Sequence, residues 1–310
     1  MNSTEVYSSV DKHYGAAAKA QDSNGYAQRV AEAFGYSQQD LDGMPEEANL
    51  GLSCGNPIAL AKLREGETVL DLGSGAGFDV FQASKRVGPT GKSIGVDFNK
   101  DMLARANAIK TKIQSDNVEF VDSKITKIEV PTASVDCIIS NCVINLVPEE
   151  EKQQVFNEMF RLLKSGGRVA VSDILAKGEM PDSVRGDMSL YVGCIAGASE
   201  VGAYEKYLRA AGFDDVLIVD AKSDLNVYWQ TEGAEDAQGV NACCGPSAAA
   251  PPKPAACCGP SNETKQEPKA CYGPSSANGT SATNGVSEQN GKRVDFNEYA
   301  GSYKIYAIKP

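Results

Sequence analysis

The chain has a single histidine among its 310 residues, and it lacks any apolar run of the length that a membrane helix needs. About 20 consecutive apolar residues are required to cross a bilayer, so we expect no transmembrane segment. The N-terminal stretch also lacks the basic start and apolar core of a signal peptide. These absences predict a soluble protein of the cytoplasm.

Basic side chains are scarce relative to acidic ones, with 30 lysines and arginines against 41 aspartates and glutamates and a net charge of −11. Phosphate backbones and anionic membranes repel a chain of this charge. We therefore expect neither nucleic acid nor a membrane as partner, and a small molecule as substrate. The single obvious domain predicts a monomer.

The nine cysteines show no C-x-x-C spacing, and the only histidine, His13, is remote from them, which argues against a zinc site. In a reducing cytosol they are expected to be thiols or small core residues rather than a disulfide framework. Composition leaves two interpretations of Cys54, Cys142 and Cys194 open: unrelated small residues, or sulfur ligands of a soft centre. Cys137 lies within a predicted strand and is assigned to the core.

Short β-like runs alternate with helical stretches from Val69 to Asp220, which predicts a parallel sheet with helices on both faces, an α/β fold. The glycine pair at 166–167 is predicted to close the helix before the fifth strand. A final alternating run, GSYKIYAIKP, predicts a strand that returns to the core. The other predicted strands are TVLDLG, KSIGVD, VEFVDS, VDCIISN, GRVAVSDI and DVLIVD.

The composition divides the chain into four parts, with the strand-rich domain over 51–232. An N-terminal segment, 1–50, precedes this domain, and a helical lid is predicted at about 176–211. Ala, Pro, Gly and Ser dominate 233–292, which cannot bury enough apolar surface to fold alone. The returning strand occupies 293–310.

A short repeat marks the low-complexity insertion: ACCGPS, ACCGPS and ACYGPS begin at Ala242, Ala256 and Ala270. The repeat is interpreted either as a solvated linker or as a segment that captures a thiophilic ion. The cysteines concerned are Cys243, Cys244, Cys257, Cys258 and Cys271.

The stretch VLDLGSGAGFDV combines a strand, a glycine turn and a helix, and its glycines allow the backbone to approach a ligand closely. Asp71 before the turn would repel a pyrophosphate, and Asp97 at the end of the second strand suits ribose hydroxyls. A ligand with a ribose, a cationic end and no phosphates fits best, which describes S-adenosylmethionine. A glycine turn that serves packing alone and a nicotinamide cofactor remain as alternatives.

This region resembles the nucleotide-binding half of the S-adenosylmethionine-dependent methyltransferases. The resemblance implies a Rossmann-like sheet of seven strands, mostly parallel with an antiparallel last strand. It also implies that Asp71 and the glycine loop hold the methionine end of the cofactor. The implied contacts are Asp71, Gly73, Ser74, Gly75 and Asn141 for methionine, Asp97 for ribose, and Phe98, Met102, Ser123 and Ile125 for adenine.

Four further motifs, SCGNP, SNCVINLVP, RLLKSGG and GCIAGA, are similar to the arsenite methyltransferases. That resemblance implies that Cys54, Cys142 and Cys194 are catalytic residues that bind trivalent arsenic. The motif DKHYG implies that Tyr14 contacts the methyl donor and that 1–50 folds over it. The family commonly has a cysteine in this segment that pairs with the residue matching Cys54. Residues 1–53 contain none, so an external thiol such as glutathione or thioredoxin is expected as reductant, with a cysteine of the low-complexity insertion as the alternative.

The sequence thus predicts an enzyme that methylates thiol-bound arsenite from S-adenosylmethionine, for arsenic detoxification. One alternative is a small-molecule C- or O-methyltransferase, because the same scaffold serves many substrates. The other is a thiol-rich protein that binds metalloids without catalysis.

Overall fold

The computed structural model describes residues 2–20, 25–180, 182–227, 288–289, 292–293 and 295–310. The cysteine repeats of the predicted insertion lie outside the described residues. In the described part of the chain, no helix combines the length and the apolar character that crossing a membrane would require.

Seven strands form one sheet in the order β3-β2-β1-β4-β5-β9-β6. They are β1 Thr68–Leu72, β2 Lys92–Asp97, β3 Val118–Asp122, β4 Val135–Asn141, β5 Leu163–Ala176, β6 Asp215–Asp220 and β9 Ala300–Ile308; two short strands, β7 Glu288–Gln289 and β8 Lys292–Arg293, pair separately. Strands β1 to β5 run parallel, and β9 is antiparallel to both β5 and β6. The predicted α/β fold, with its antiparallel last strand, is confirmed.

Helices surround the sheet and cover its carboxyl edge. They are α1 Ser3–Lys19, α2 Tyr26–Ala33, α3 Gln38–Leu41, α4 Pro57–Ala61, α5 Phe78–Val87, α6 Lys100–Ile113, α7 Lys152–Leu162, α8 Asp182–Arg185, α9 Met188–Val192, α10 Val201–Ala211 and α11 Phe296–Tyr299, with 3₁₀ turns at Glu46–Ala48, Ile144–Leu146 and Glu149–Glu151. Helices α8 to α10 lie between β5 and β6 along the chain.

The central strands are buried on both faces, which explains why their sequences are apolar without alternation. Leu70 and Ile138 face one core cluster, whereas Val69 and Cys137 face another. The prediction that Cys137 is a core residue is confirmed: its side chain is fully buried, and burial raises the pKa of its thiol to about 12. This thiol therefore has little nucleophilic character at neutral pH.

The predicted glycine closure of α7 is wrong. The helix ends at Leu162, and Leu163 already pairs with Val135 in the sheet. Gly166 has a φ of 73° and donates its N–H to the Lys309 carbonyl at 2.9 Å, so the glycine pair forms a turn against the C-terminal strand. Pairing with distant strands therefore overrides the local helix signal.

Helix α1 lies over the carboxyl edge of the sheet. Its first turn is fixed by a capping box between Asn2 and Glu5. The Asn99 side chain, just after β2, donates to the carbonyl and the carboxylate of Asp11, both at 2.8 Å. A Cβ on Gly15 would lie 3.0 Å from the Asp101 carboxylate, so this glycine permits the close packing of α1 on α6.

Candidate active site

A cavity of about 1080 Å³, including its open mouth, lies at the carboxyl ends of β1, β2 and β4. Ligands in open α/β sheets bind at this edge. All the predicted cofactor contacts except Ser123 line the cavity, namely Tyr14, Asp71, Gly73, Ser74, Gly75, Asp97, Phe98, Met102, Ile125 and Asn141. Helix α1 also contributes Tyr7 and Val10 to the wall.

Ser123 lies behind the cavity wall rather than on it. Its hydroxyl donates to the Lys127 carbonyl at 2.7 Å, and its N–H donates to the Asp97 carbonyl at 3.0 Å. Both polar groups are therefore committed to local structure, and the neighbouring Ile125 reaches the cavity instead.

The glycine loop adopts backbone conformations that other residues rarely take. Gly73 has a φ of 67°, and a Cβ there would lie 2.4 Å from a methyl of Val143. The Gly75 N–H donates to the Asp97 carboxylate at 2.8 Å, and the Asn99 N–H donates to its other oxygen at 2.9 Å. Asp97 thus fixes the loop and also lines the cavity.

Three buried carboxyl groups, those of Asp71, Asp79 and Asp97, line the cavity. Burial raises the pKa of Asp71 well above its usual range, and the charges of Asp79 and Asp97 raise it further. Burial raises the pKa of Asp79 to about 6, although hydrogen bonds from Tyr36 and Asn141 lower it. The pKa of Asp97 is also raised by burial. A cationic ligand would stabilise these groups in their ionised forms.

Asn141 connects the cavity to the turn that carries Cys54. Its amide NH₂ donates to the Tyr36 hydroxyl and the Gly55 carbonyl at 2.9 Å, and to Asp79 at 3.2 Å. Its oxygen accepts from the Cys54 N–H at 3.1 Å. Sequence reasoning missed Tyr36 and Asp79, although a carboxylate just after the glycine loop was a visible signal for the latter.

Cys54 is held against the sheet by the motif SCGNP. A Cβ on Gly55 would lie 2.5 Å from the Ser172 side chain, so only glycine allows this approach to β5. The Ser302 hydroxyl donates to the Cys54 carbonyl at 2.6 Å, and the Asn56 side chain caps α4. The Cys54 side chain is fully buried as a result.

Cys142 follows the end of β4 and forms part of the cavity wall. It has a φ of 59°, in the left-handed region, and its side chain is 7% exposed. Its Cα lies 5.8 Å from that of Cys54, and the structure joins the two residues as a disulfide. The sequence predicted thiols at both positions. The turns that carry Cys54 and Cys142 meet at the same edge of the sheet, and this brings their sulfurs together.

Cys194 lies in the turn after α9 and also has a left-handed backbone, with a φ of 65°. Its thiol donates to the Cys142 carbonyl at 2.8 Å. Within the described residues, one oxygen of Asp173 and the sulfurs of Cys54 and Cys142 lie within 4.8 Å of one another. The structure therefore brings two of the three predicted sulfurs together and places the third against the backbone of Cys142.

Asp173 is a buried residue of this cluster that sequence reasoning missed. One carboxylate oxygen accepts from the Asn145 amide and the Ile174 N–H, both at 2.9 Å. Burial raises the pKa of this carboxyl to about 7, although the Ile174 hydrogen bond, the Lys152 charge and a hydrogen bond from the Tyr204 hydroxyl lower it. The sequence did offer a signal for Asp173, because it lies near the end of the predicted strand GRVAVSDI, just as Asp97 lies at the end of β2.

Buried polar groups also fix the turn around Cys194. Lys152 is 1% exposed, and its ammonium donates to the Gly197 carbonyl at 2.6 Å and the Ser199 hydroxyl at 2.8 Å. The Asn145 amide donates to the Ile174 carbonyl at 2.5 Å. Lys152 thus ties the turn to α7, and the Asn145 amide, which also donates to the Cys194 carbonyl at 3.4 Å, links the turn to β5.

A family model described as a methyltransferase domain matches residues 63–212. Curated relatives named arsenite methyltransferase include one from Halobacterium salinarum, 47% identical over 204 residues, 65% of this chain and 52% of the relative. One from Mus musculus is 32% identical over 207 residues, 63% of this chain and 54% of the relative. The chain spans about half the length of the curated relatives it matches.

Solved structures support the fold. An arsenic (III) S-adenosylmethionine methyltransferase from Chlamydomonas reinhardtii has a TM-score of 0.53 at 23% identity, covering 91% of this chain and 73% of that one. A phosphoethanolamine N-methyltransferase from Haemonchus contortus has a TM-score of 0.55 at 15% identity, covering 93% and 59%. Fold, domain match and sequence relatives agree: residues 63–212 match a methyltransferase domain, and the chain is similar in sequence to arsenite methyltransferases.

Proposed function

We propose that the protein is an arsenite methyltransferase, which transfers methyl groups from S-adenosylmethionine to thiol-bound trivalent arsenic in arsenic detoxification. The position of Cys142 carries this proposal, because its sulfur adjoins both the cavity and Cys54. Cys194 contacts the backbone of the same residue. The names of the curated relatives support the same substrate.

The cavity suits the proposed methyl donor. When bound, S-adenosylmethionine supplies an electrophilic methyl group on a positively charged sulfonium. Asp71 and Asp79 offer negative charge to a cationic ligand, and Asp97 offers acceptors to ribose hydroxyls. The Ser74 hydroxyl is buried without a hydrogen-bond partner among the described residues, as expected for a group that a ligand would satisfy.

The cysteines suit the proposed substrate. Trivalent arsenic prefers soft thiolate ligands and keeps a lone pair when three sulfurs bind it. That lone pair is the nucleophile, so no general base is needed, which agrees with the single histidine of the chain. Holding two reactants in line contributes about 7 to 11 kcal/mol in favourable cases. The role of this chain is therefore mainly to position its substrate.

The pair of Cys54 and Cys142 suits the redox step that follows methylation. Loss of its lone pair to a methyl group leaves arsenic pentavalent, and its return to the trivalent state requires two electrons. Two thiolates provide these electrons when they form a disulfide, and the structure pairs these cysteines in that form. An external thiol such as glutathione or thioredoxin then reduces the disulfide, as the lack of cysteine in residues 1–53 suggests.

The binding of S-adenosylmethionine is expected to weaken below about pH 6, the value to which burial raises the pKa of Asp79. Protonation removes negative charge from the cavity as the pH falls through this value, and a cationic ligand loses attraction. S-adenosylhomocysteine lacks the sulfonium charge, so its affinity should fall less. Calorimetric titration of both ligands between about pH 8 and about pH 5 tests this. Equal losses of affinity for the two ligands would contradict the assignment of Asp79 as the group whose charge attracts the sulfonium.

Incubation with arsenite, a thiol reductant and S-adenosylmethionine, followed by chromatographic separation of arsenic species, tests the proposed function. We expect methylated arsenic and an equivalent amount of S-adenosylhomocysteine. Cofactor binding without any methylated arsenic would favour an organic substrate. Stoichiometric arsenite binding without cofactor consumption would favour a metalloid-binding protein.

A further inference from the structure

We propose that Asn145 positions the thiol of Cys194 as the third ligand of arsenic. The inference rests on the proposed function and adds a residue that acts through Cys194. Asn145 follows Cys142 in the motif SNCVINLVP, and sequence reasoning missed it. It is a positioning residue in this scheme, and the sulfurs remain the ligands.

The side chain of Asn145 joins the residue that carries the third thiol to the sheet. It is fully buried, and its amide NH₂ donates to the Cys194 carbonyl at 3.4 Å. The same NH₂ donates to the Asp173 carboxylate at 2.9 Å and to the Ile174 carbonyl at 2.5 Å, both on β5. An amide carries two N–H groups, so one of them is shared. Asn145 therefore holds the backbone of Cys194 at the edge of the sheet where the other two cysteines lie.

The backbone of Asn145 also contacts the turn that carries Cys194. A Cβ on Gly197 would lie 2.1 Å from the Asn145 carbonyl oxygen, so glycine is required for the two segments to lie this close. Asn145 belongs to the 3₁₀ turn Ile144–Leu146, which follows Cys142. The turns that carry Cys142 and Cys194 therefore meet at Asn145.

Both cysteines have a backbone conformation that residues other than glycine rarely adopt, with φ of 59° at Cys142 and 65° at Cys194. Such a conformation persists only where the surrounding structure fixes it. At Cys194 the N–H donates to the Tyr191 carbonyl at 2.9 Å, and the carbonyl accepts from Asn145. These bonds place the Cys194 thiol 2.8 Å from the carbonyl oxygen of Cys142.

A third thiol at this place favours three sulfur ligands on arsenic. Each reduced cysteine forms an As–S bond as an As–O bond breaks, and the thiol proton leaves with the hydroxide as water. The third exchange requires the Cys194 thiol to reach the arsenic that Cys54 and Cys142 already hold. Groups that orient metal ligands typically contribute about 10- to 100-fold to affinity. A displaced Cys194 turn should therefore cost arsenite affinity through the third sulfur.

Gly197→Ala and Cys194→Ser, alone and combined, test the inference by equilibrium binding of arsenite to protein reduced with a phosphine. Gly197→Ala displaces the turn from Asn145 and leaves every thiol present. We expect it to weaken arsenite binding at least about tenfold. In the Cys194→Ser background it should change binding by less than about twofold, because no third thiol remains to be positioned.

Gly202→Ala is the matched control. Gly202 lies in α10, and a Cβ there would meet nothing within 4 Å. Its substitution should leave arsenite affinity unchanged, and S-adenosylhomocysteine affinity should stay the same in all variants. Asn145→Ala is the second variant, for use if Gly197→Ala lowers the melting temperature below that of the assay. It removes the amide without adding atoms, and the same dependence on Cys194 is expected.

Equal weakening with and without the Cys194 thiol, or no weakening in either background, would overturn the inference. Arsenite binding by Cys194→Ser as tight as that of the unmodified protein would also overturn it, because arsenic would then need no third sulfur. These outcomes leave the proposed function intact. An unmodified protein that binds no arsenite would contradict that function, and the inference would fail with it.

Discussion

Cys142→Ser is expected to reduce the rate of arsenite methylation by at least about a hundredfold, the cost that misplacement of a reactant typically brings. A serine hydroxyl is a hard ligand that holds trivalent arsenic poorly, whereas a thiolate is soft. Cys142 lies in the cavity wall and contacts both Cys54 and Cys194, so its loss affects every proposed arsenic ligand. Single-turnover formation of methylated arsenic, with excess cofactor, measures the effect.

The matched control is Cys137→Ala. Cys137 lies on β4 with Cys142 but is fully buried in a core cluster away from the cavity. Its loss should lower the free energy of unfolding without a change in the methylation rate per folded molecule. Cofactor affinity should stay the same in Cys142→Ser. A Cys142→Ser rate within a few fold of the unmodified protein would remove this cysteine from the site.

Asp97→Ala is expected to weaken S-adenosylmethionine binding by about a hundredfold. The carboxylate is the proposed ribose acceptor, and it accepts the N–H groups of Gly75 and Asn99. Hydrogen bonds to charged groups contribute about 1.5 to 3 kcal/mol each. The substitution removes one ligand contact and also releases the glycine loop, so its effect exceeds that of a single bond. Calorimetric titration of the cofactor measures it.

Asp122→Ala is the control for this substitution. Asp122 ends β3 and lies directly beside Asp97 in the sheet register, but its side chain is exposed. Removing its carboxylate changes the net charge equally and leaves the glycine loop untouched. Similar losses of affinity in the two variants would show that overall charge, rather than a specific contact, governs binding.

The sheet was predictable because its strands are short apolar runs separated by glycine and charged turns. The same logic located Asp71, Asp97 and Cys142, since each follows or ends a predicted strand at the carboxyl edge. The error at 166–167 arose because the sequence shows a local helix signal, and pairing with β4 and β9 is not visible locally.

Contacts between distant segments were not predictable from spacing. Cys54 and Cys142 are 88 residues apart, and their pairing depends on the approach of Gly55 to β5. Tyr36 reaches Asp79 only through the path of the N-terminal segment over the sheet. Family resemblance suggested that the thiols converge, but it gave no indication that the buried carboxyl of Asp173 lies beside two of them.

X-ray absorption at the arsenic edge tests the central claim most directly, which is that sulfur atoms of this site hold the arsenic beside the methyl donor. The reduced protein is mixed with one equivalent of arsenite and S-adenosylhomocysteine. The account predicts that sulfur neighbours dominate the arsenic coordination shell and that Cys142→Ser replaces at least one of them by oxygen. A shell of oxygen alone in the unmodified protein, or a spectrum unchanged by Cys142→Ser, would contradict the account.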